Sequence, residues 1–491
     1  MNFSLLFAND IKLFFPEIFL AFAILLIMVY GVFLATSVHY NYPIISRNIY
    51  FLTLYCLFLT ILLTLMNPVD FAVVFQKTFV HDDLSRIAKL FVLGSSFCCL
   101  LLSQSYLERA QINNYEYFLL ILFSILGLDL LTSSYDLLSA YLAIELQALS
   151  FYVLSAFQRK SVFSTEAGLK YFILGAFSSG LLLYSFSLIY GFTGTTNLIN
   201  LKNFCLDLNF DGVNSLKVAL IFLCAGFLFK IAAFPFHMWS PDVYEGSPTS
   251  TTVFFAVVPK LAVLTFFVRL LTYSFSNFAD IWEKLLLFSA VGSIIYASFV
   301  ALKQDSLKRL LAYSGISYVG FLLLPLSTNN LDGVQALFFY TLIYIITSLP
   351  VWGVVLSSMS LKKNSHITVL AGLPITNPAL AFLGALSFFS LAGIPPLAGF
   401  YAKVFVFFSA IKSSLFFAAF VVLAVSVIST YYYISVVKTI YFEKNKNWLF
   451  YEEISKEKSL ILSISLGLLV FIFINPNLLL LCSQKMALSV F

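Results

Sequence analysis

Residues 229–260 read FKIAAFPFHMWSPDVYEGSPTSTTVFFAVVPK, and the rest of the chain is best interpreted from this stretch. Lys230 lies inside one apolar segment and Lys260 inside the next, with Pro235 and a short polar connection between them. An ammonium group inside hydrocarbon costs roughly 2.5–3.5 kcal/mol on membrane-insertion scales. Such groups persist only where they pair, reach water or move charge, so the flanking sequence is expected to enclose a polar interior.

The composition places almost the whole chain in a lipid bilayer. Of its 491 residues, 61% are hydrophobic and only 10% are charged, a balance that no soluble domain has. The net charge of +5 is small, so no nucleic-acid partner is expected. The six cysteines show no metal-binding spacing. The sequence therefore predicts an all-α polytopic membrane protein.

About fourteen apolar segments are each near the ~20 residues that a helix needs to cross a bilayer. Their predicted limits are 13–36, 49–67, 84–105, 116–133, 136–158, 164–190, 215–236, 249–272, 282–302, 307–326, 333–359, 377–409, 414–440 and 459–483. The seventh is interrupted near Pro235, and the twelfth, too long for one span, is interrupted at Gly393 to Pro396. Because proline removes a backbone donor and freed carbonyl groups must be satisfied within a membrane, we predict broken helices in both segments.

Basic residues concentrate in alternate connections between these segments. One set of connections carries Arg47, Arg109, Arg159, Lys160, Lys303, Lys308, Arg309, Lys362, Lys363, Lys438, Lys444, Lys446, Lys456 and Lys458. The other set carries little beyond Lys77, Lys202, Lys284 and Lys412. The positive-inside rule assigns the first set to the cytoplasm or the mitochondrial matrix, so both termini are expected on the opposite side.

Segments 7 and 12 are five apart, and each combines an interruption with a buried lysine. This spacing predicts two five-helix repeats, which would be inverted because five is an odd number of crossings. The predicted divisions are helices 1–3 (1–115), a first repeat (116–272), a second repeat (273–440), and a loop with helix 14 (441–491). The symmetry is loose, because segment 10 has no acid that matches Glu145.

Four ionisable residues, Glu145, Lys230, Lys260 and Lys403, lie far from any loop. Glu145 is ten residues into segment 5, or ~15 Å deep at ~1.5 Å per residue. Lys260 is at a similar depth, and Lys403 follows the interruption of segment 12. A snorkelling side chain or a helix-pinning ion pair would explain one such residue. Four at similar depth indicate proton transfer, because burial brings lysine and glutamate pKa values toward neutrality.

Other polar residues have more than one possible role or a simple structural one. His237, just past Pro235, could relay protons or hydrogen-bond freed carbonyl groups, and the two interpretations are equally supported. Lys170 is a further candidate, because it could snorkel or could pair with Glu145. Simple structural roles are expected for the remainder: helix N-terminus stabilisation for Glu17, solvation for Asp129, helix capping for Asp136, and interfacial positions for Lys308 and Arg309.

No chemistry typical of a soluble enzyme is visible in the sequence. There is no nucleotide-binding loop and no Cys or His cluster for an iron–sulfur centre, haem or zinc. Any redox chemistry is therefore expected to take place in other proteins.

Six stretches resemble the antiporter-like membrane subunits of respiratory complex I, the NADH:ubiquinone oxidoreductase. They are YLAIELQALSFYV (141–153), STEAGLKYFILGAFSSGLLLY (164–184), YGFTGTTNL (190–198), FKIAAFPFHMWSPDVYEGSPT (229–249), LKRLLAYSGISYVGF (307–321) and SLAGIPPLAGFYAKVFVF (390–407). They extend from segment 5 to segment 12, whereas the first three segments match weakly. Sister subunits typically carry a glutamate at the position of Lys403.

The resemblance implies a proton-translocating subunit in the membrane arm of a large complex. By motif match, Glu145 and Lys230 are the paired helix-5 glutamate and helix-7 lysine, Lys260 is the central helix-8 lysine, and Lys403 is the helix-12 lysine toward the outer exit. NADH and ubiquinone would be handled by other subunits, which also carry the flavin and iron–sulfur clusters, so this chain is expected to bind no cofactor or metal. Its implied neighbours are other membrane-arm subunits, including sister subunit 4, and membrane lipids.

The resemblance also bears on location and on competing functions. It favours the mitochondrial inner membrane with both termini on the intermembrane-space side, and the bacterial plasma membrane is the alternative. A cation/proton antiporter subunit of a multi-subunit transporter is the competing function, because it shares the fold and much of the buried charge. A structural scaffold, whose charges only pin neighbouring helices, is a third interpretation.

Glu145 and Lys230 should be close enough to pair. Segments 7 and 12 should both be discontinuous. Lys260 should be the midpoint of a proton path, with Lys230 on the input side and Lys403 on the exit side.

Overall fold

Helices form nearly all of the computed structural model of the chain, which describes residues 9–34, 46–67, 69, 71–207, 213–358, 366–443 and 454–491. Helices α1 (Phe15–Leu34) and α2 (Ser46–Leu65) precede a two-stranded β-sheet. In it β1 (Ala72–Val74) pairs antiparallel with β2 (Phe79–His81), and Ala72 lies opposite His81.

The remaining elements follow in chain order. The α-helices are α3 (Asp83–Arg109), α4 (Tyr115–Ser133), α5 (Leu137–Ser155), α6 (Val162–Thr193), α7 (Leu198–Asp207), α8 (Val213–Lys230), α9 (Trp239–Gly246), α10 (Thr249–Val257), α11 (Pro259–Val268), α12 (Ala279–Ala301), α13 (Leu307–Leu326), α14 (Leu331–Ser358), α15 (Leu373–Thr376), α16 (Pro378–Ala392), α17 (Ala398–Lys412), α18 (Phe416–Phe442), α19 (Lys456–Ile474) and α20 (Asn477–Leu488). A π-helical turn covers Arg269–Ser274, and 3₁₀ turns cover Ser276–Phe278 and Ile367–Gly372.

Twelve helical spans of the described residues are long and apolar enough to cross a membrane. Two further segments, α8–α9 and α16–α17, are interrupted, and together with the twelve spans they are compatible with the fourteen predicted segments. The all-α polytopic fold is therefore confirmed. The interruptions fall in the fourth helix of each predicted five-helix unit, which is compatible with the repeats. The repeats and the four-part division of the chain stay predictions.

The first interruption begins where α8 ends at Lys230. Residues 231–238 form turns, with Ala232 in the left-handed region at φ 60°. The indole Nε1 of Trp239 donates to the carbonyl oxygen of Phe229 at 3.0 Å, which satisfies one of the acceptors freed at the helix end. The predicted break near Pro235 is confirmed.

The second interruption separates α16 from α17 at Gly393 to Leu397. Gly393 lies at φ 81°, and its N–H returns to the carbonyl of Phe389 in a left-handed helix cap. Only a residue without Cβ adopts this conformation without strain. This predicted break is also confirmed.

Two further irregularities were not predicted. Segment 8 is divided into α10 and α11 at Pro259, and it ends in the π-helical turn at 269–274. The last predicted segment, 459–483, is divided at Pro476 into α19 and α20. Proline accounts for both divisions, because it lacks the N–H that would continue the helical hydrogen bonds.

The centre of the bundle is formed by the span 249–274 with α13 and α14. Every residue in the most apolar part of span 249–274 is buried, compared with a third of the corresponding part of α1. Small residues allow close packing at this centre: at Gly320 of α13, a Cβ atom would lie 2.7 Å from the carbonyl oxygen of Ala290 in α12. The exposed apolar faces of α1, α6 and α18 remain for lipid or neighbouring proteins.

Candidate proton-transfer site

Lys230 is the last residue of α8, so its ammonium group lies at the negative end of the helix dipole. Trp239 caps the preceding carbonyl and stacks on the Tyr171 ring at 4.7 Å, which fixes the chain just beyond the lysine. Among the described residues, no group hydrogen-bonds to the Lys230 Nζ atom. This cation is therefore held by its position in the helix rather than by a direct contact.

Glu145 acts electrostatically on Lys230, but the two charges are not in contact. Glu145 is the charged group that acts on the lysine, yet no ion pair within 4.0 Å joins them in this structure. The carboxylate Oε1 of Glu145 is buried and has no hydrogen-bond partner among the described residues. Helix α6 packs against both α5 and α8. A direct ion pair is therefore not formed in this structure, and the closeness of the two residues stays a prediction.

Lys230 and Lys260 line the same small cavity. It has a volume of about 30 Å³, and Gln147 and Tyr171 also line it. A buried water needs at least roughly 10–15 Å³ of such space and two to four polar partners. Gln147 is 7% exposed and its Oε1 has no partner in the described part of the chain, so it offers an acceptor to such a water. The cavity has the size and polarity for one or two waters.

Lys260 lies at the second position of α11, directly after Pro259, and is buried at 8% exposure. Its Nζ atom lies 3.3 Å from the hydroxyl of Tyr344 and 3.4 Å from the carbonyl oxygen of Gly315. It also lies 5.1 Å from the ring centre of Tyr318, which stacks on Tyr344. No carboxylate contacts it in the described residues. Neutral dipoles and π faces, with the cavity on the other side, thus form its surroundings.

Lys403 is held at the second interruption. It extends from α17 back to the end of α16, where its Nζ donates to the carbonyl oxygen of Ala392 at 2.6 Å. Its side chain lies against Gly393, and its Nζ lies 5.6 Å from the ring centre of Phe321. An ammonium at a helix C-terminus satisfies a freed carbonyl and interacts favourably with the helix dipole.

The two other candidate residues lie outside this group. His237 is 1% exposed and packs between Phe234 and Tyr296, without a well-formed hydrogen bond to either ring nitrogen. No contact links it to the lysines in the described part of the chain. Lys170 is partly exposed and pairs with Glu166 at 2.9 Å and Asp242 at 2.8 Å, so the idea that it is the partner of Glu145 is wrong.

Asp136 and Arg309 lie where the sequence predicted them, whereas Lys308 does not. Asp136 caps its helix as expected, since it accepts from the N–H of Leu138. Arg309 lies in a surface network with Asp242 and Glu245. Lys308, expected at the interface, is buried and donates to the carbonyl oxygen of Ser247 at 2.9 Å. That carbonyl follows the end of α9, and a fixed acceptor there explains why the ammonium turns inward.

Asp129 and Glu17 also differ from expectation. Asp129 is only 5% exposed, so its expected solvation is wrong: packing of α4 against α1 and α3 closes it off. Glu17 does lie in the first turn of α1, but it forms a buried ion pair with Lys89 of α3. Stabilisation of the helix N-terminus therefore does not by itself explain the position of the Glu17 carboxylate.

Several buried polar residues were not predicted from the sequence. Arg269 forms two hydrogen bonds with the Asp82 carboxylate, at 2.7 and 2.8 Å, and is 2% exposed. Lys89, Gln147 and Tyr344 were also not singled out. Lys89 and Arg269 lie near segment ends, where snorkelling is the usual expectation, and only the packed helices exclude it. No group of three metal-ligating side chains was found among the described residues.

Known proteins are similar to this chain in sequence. The family model described as NADH:quinone oxidoreductase/Mrp antiporter, TM, matches residues 134–429. NADH-ubiquinone oxidoreductase chain 2 of Marchantia polymorpha is 41% identical over 98% of this chain and 99% of its own length. NADH-quinone oxidoreductase subunit N of Pelagibacter ubique is 41% identical over 95% of this chain and 97% of its own.

Solved structures agree with these relatives. A chain of respiratory complex I from Thermus thermophilus superimposes with a TM-score of 0.80 at 28% identity, covering 95% of this chain and 98% of that one. A chain of the Mrp complex from Dietzia sp. reaches 0.83 at 18% identity, with 97% of each chain covered, and shows the shared fold alone. This chain therefore belongs to the NADH:quinone oxidoreductase/Mrp antiporter transmembrane family, as an antiporter-like membrane subunit of the complex I type.

Proposed function

We propose that this chain carries protons across the membrane through Glu145, Lys230, Lys260 and Lys403, driven by electron transfer in other subunits of an NADH:quinone oxidoreductase. The observation that carries the proposal is the shared cavity between Lys230 and Lys260. Two lysines that only pinned helices would each need a local counter-charge, and Lys260 has none among the described residues.

Input to the path depends on Glu145. While the carboxylate is charged and in range, it stabilises the proton on Lys230. At ~10 Å and an effective dielectric constant of ~20, one unit charge contributes ~1.7 kcal/mol, a little over one pKa unit. When Glu145 is neutralised or moves away, Lys230 loses that stabilisation and gives its proton to water in the cavity. This bias is too small to drive transfer alone, so hydration and movement of the broken helix must supply the rest.

Transfer to Lys260 uses the cavity that it shares with Lys230. A cavity water accepts the proton from Lys230 and delivers it to a neutral Lys260 Nζ. The Tyr344 hydroxyl, 3.3 Å from that atom, and the Gly315 carbonyl hold the ammonium in place. Lys403 receives the proton on the exit side and is stabilised by the Ala392 carbonyl. His237 is proposed as a side branch at most, since it has no contact with either lysine in the described residues.

The wider assignment is part of the same proposal. NADH oxidation and quinone reduction take place in other subunits, which hold the flavin and iron–sulfur clusters. The exposed apolar faces of the bundle suit membrane-arm neighbours, including sister subunit 4, and lipids. We place the chain in the mitochondrial inner membrane with its termini on the intermembrane-space side. The bacterial plasma membrane is the alternative, because relatives of both origins are similarly close.

Substitution of Lys230 by Met separates this function from a scaffold. Met keeps the length of the side chain but cannot carry a proton. We expect the variant complex to assemble at its native size, as shown by native electrophoresis, and to lose quinone-linked proton pumping in vesicles. The matched control is Lys412→Met, which removes an exposed ion pair with Asp332 and should pump normally. Normal pumping by Lys230→Met would leave only the scaffold role.

A further inference from the structure

A second group of buried charges lies apart from the lysine path, at the end of the bundle where the β1–β2 hairpin lies. Glu17 is in the first turn of α1, Lys89 lies six residues into α3, and Asp129 is in the last turns of α4. Their exposures are 6%, 3% and 5%, respectively. Glu17 and Lys89 form an ion pair. Helix α4, which carries Asp129, packs against both α1 and α3. Three different helices therefore place these side chains at the same end of the bundle.

The charges of this group do not balance. Two carboxylates and one ammonium leave a net charge of −1 when all three are ionised. Two acceptor atoms, Glu17 Oε2 and Asp129 Oδ1, are buried and have no hydrogen-bond partner among the described residues. An uncompensated buried charge is far more costly than a neutral carboxylic acid. One bound proton removes the imbalance and supplies the donor that these oxygens lack.

Neighbouring charged groups do not supply the missing positive charge. Arg269 is fully engaged, because its guanidinium binds both oxygens of Asp82 and the carbonyl oxygens of Thr132 and Ser134. Arg86 of α3 extends to the carbonyl of Leu65 at 2.9 Å. Asp83, in the first turn of α3, is acidic and cannot supply a positive charge. The Arg269–Asp82 pair instead fixes the ends of α3 and α4 around the group.

His81 is the last residue of β2, and it directly precedes Asp82 in the chain. It is 8% exposed, and its Nε2 has no hydrogen-bond partner in the described part of the chain. Burial lowers the pKa of His81, and Lys89 acts in the same direction against Glu17 and Asp82. The ring is therefore neutral near pH 7, with a free nitrogen available to accept a proton.

We propose that Glu17, Lys89 and Asp129 form a proton-binding site that holds one proton between the two carboxylates and exchanges it with the hairpin side through His81. No bond other than those to the transferred proton changes: the proton leaves the carboxylic acid, is carried by the imidazole and is released to water. The site goes beyond the lysine path and does not rest on it, because it can bind its proton without turnover.

Infrared spectroscopy of the intact complex at equilibrium tests the site. A protonated carboxylic acid has a carbonyl stretching band that a carboxylate lacks. We expect wild type minus Asp129→Asn to show one such band at pH 7, and wild type minus Glu17→Gln to show one as well, because either change balances the charge of Lys89. Lys89→Met should gain a second protonated carboxyl group. The control Asp280→Asn alters an exposed acid and should change nothing in this region.

The infrared test is independent of the pumping assays of the lysine variants. If neither Asp129→Asn nor Glu17→Gln removes a carboxylic acid band, the group holds no proton and the proposal is wrong, whatever the lysine variants do. Two independent acids keep the test valid if one variant fails to assemble. Transfer into D₂O then tests His81: His81→Phe should slow the deuterium shift of the band at least severalfold, and an unchanged rate would rule out the exchange route.

Discussion

The two interrupted segments place a lysine at the same kind of helix end but hold it in different ways. At the first, Lys230 terminates α8, faces a cavity and has a carboxylate within electrostatic range. At the second, Lys403 comes from the following helix and donates to a carbonyl oxygen at 2.6 Å, and no carboxylate pairs with it in the described residues. The Glu145 carboxylate can move or be protonated, whereas the Ala392 backbone carbonyl stays fixed and neutral. The first interruption is therefore suited to switching and the second to holding a proton.

The two interruptions also differ in the residue that takes the left-handed backbone conformation. Both contain a residue in the left-handed region, but the first has Ala232 at φ 60° and the second has Gly393 at φ 81°. A Cβ on Gly393 would lie 2.8 Å from Cδ of Lys403, so a side chain there would displace the lysine. The held lysine thus depends on a glycine, and the switched lysine does not.

Neutralising Glu145 should reduce pumping more than substitutions at Gly393 or Ala232. Glu145→Gln removes the carboxylate that controls Lys230 in the proposed path, and ~1.7 kcal/mol of bias corresponds to a reduction of pumping on the order of tenfold. Proton uptake by vesicles during NADH oxidation measures it. Glu116→Gln, which changes a carboxylate in the first turn of α4, is the control and should retain the wild-type rate. An unaffected Glu145→Gln variant would mean that both interruptions work without a switchable charge.

Adding a methyl group at Gly393 should disturb the second interruption alone. Left-handed backbone costs Ala about 1–2 kcal/mol, and the contact with Lys403 adds to that. We expect a lower thermal midpoint of the complex and displaced Lys403, with reduced pumping. Gly194→Ala is the matched control, because Gly194 has φ 69° but open space around it. Equal effects of the two substitutions would show that backbone strain, and not the lysine contact, matters here.

The smallest effect is expected at Ala232. Ala232→Gly relieves left-handed strain but increases the entropy of the unfolded chain, and these terms of about 1 kcal/mol each nearly cancel. The thermal midpoint and pumping should both stay near wild type. A marked loss of pumping without a change in midpoint would show that the first interruption needs a rigid backbone, contrary to the switching role.

The fold was predictable because hydropathy and proline act locally along the chain. Each apolar segment of about 20 residues matches a span, and Pro235 and Gly393 to Pro396 mark the two predicted interruptions. The division at Pro259 was missed although a proline signals it, since the apolar run continues across that residue. The irregular helix places Lys260 at the start of α11, directly beside the cavity.

The site was only partly predictable, because pairing depends on which helices pack together. Depth along a segment identifies Lys260 and Lys403, but it does not reveal that Tyr344 and the Ala392 carbonyl contact them. The same limit produced the errors at Lys170 and Asp129. Lys170 is drawn to Asp242, 72 residues away, and Asp129 is enclosed by helices from the weakly matching N-terminal region.

The central claim is that Lys260 carries a proton between the two interruptions. The most direct test is the proton-to-electron ratio of complexes that contain Lys260→Met or Lys260→Arg. Met cannot bind a proton, and Arg binds one too tightly to release it, although Arg preserves the positive charge. We predict that both variants assemble and that both pump fewer protons per electron than wild type. A normal ratio in assembled Lys260→Met complexes, or full rescue by Arg, would show that Lys260 is only a structural charge and would contradict the proposed path.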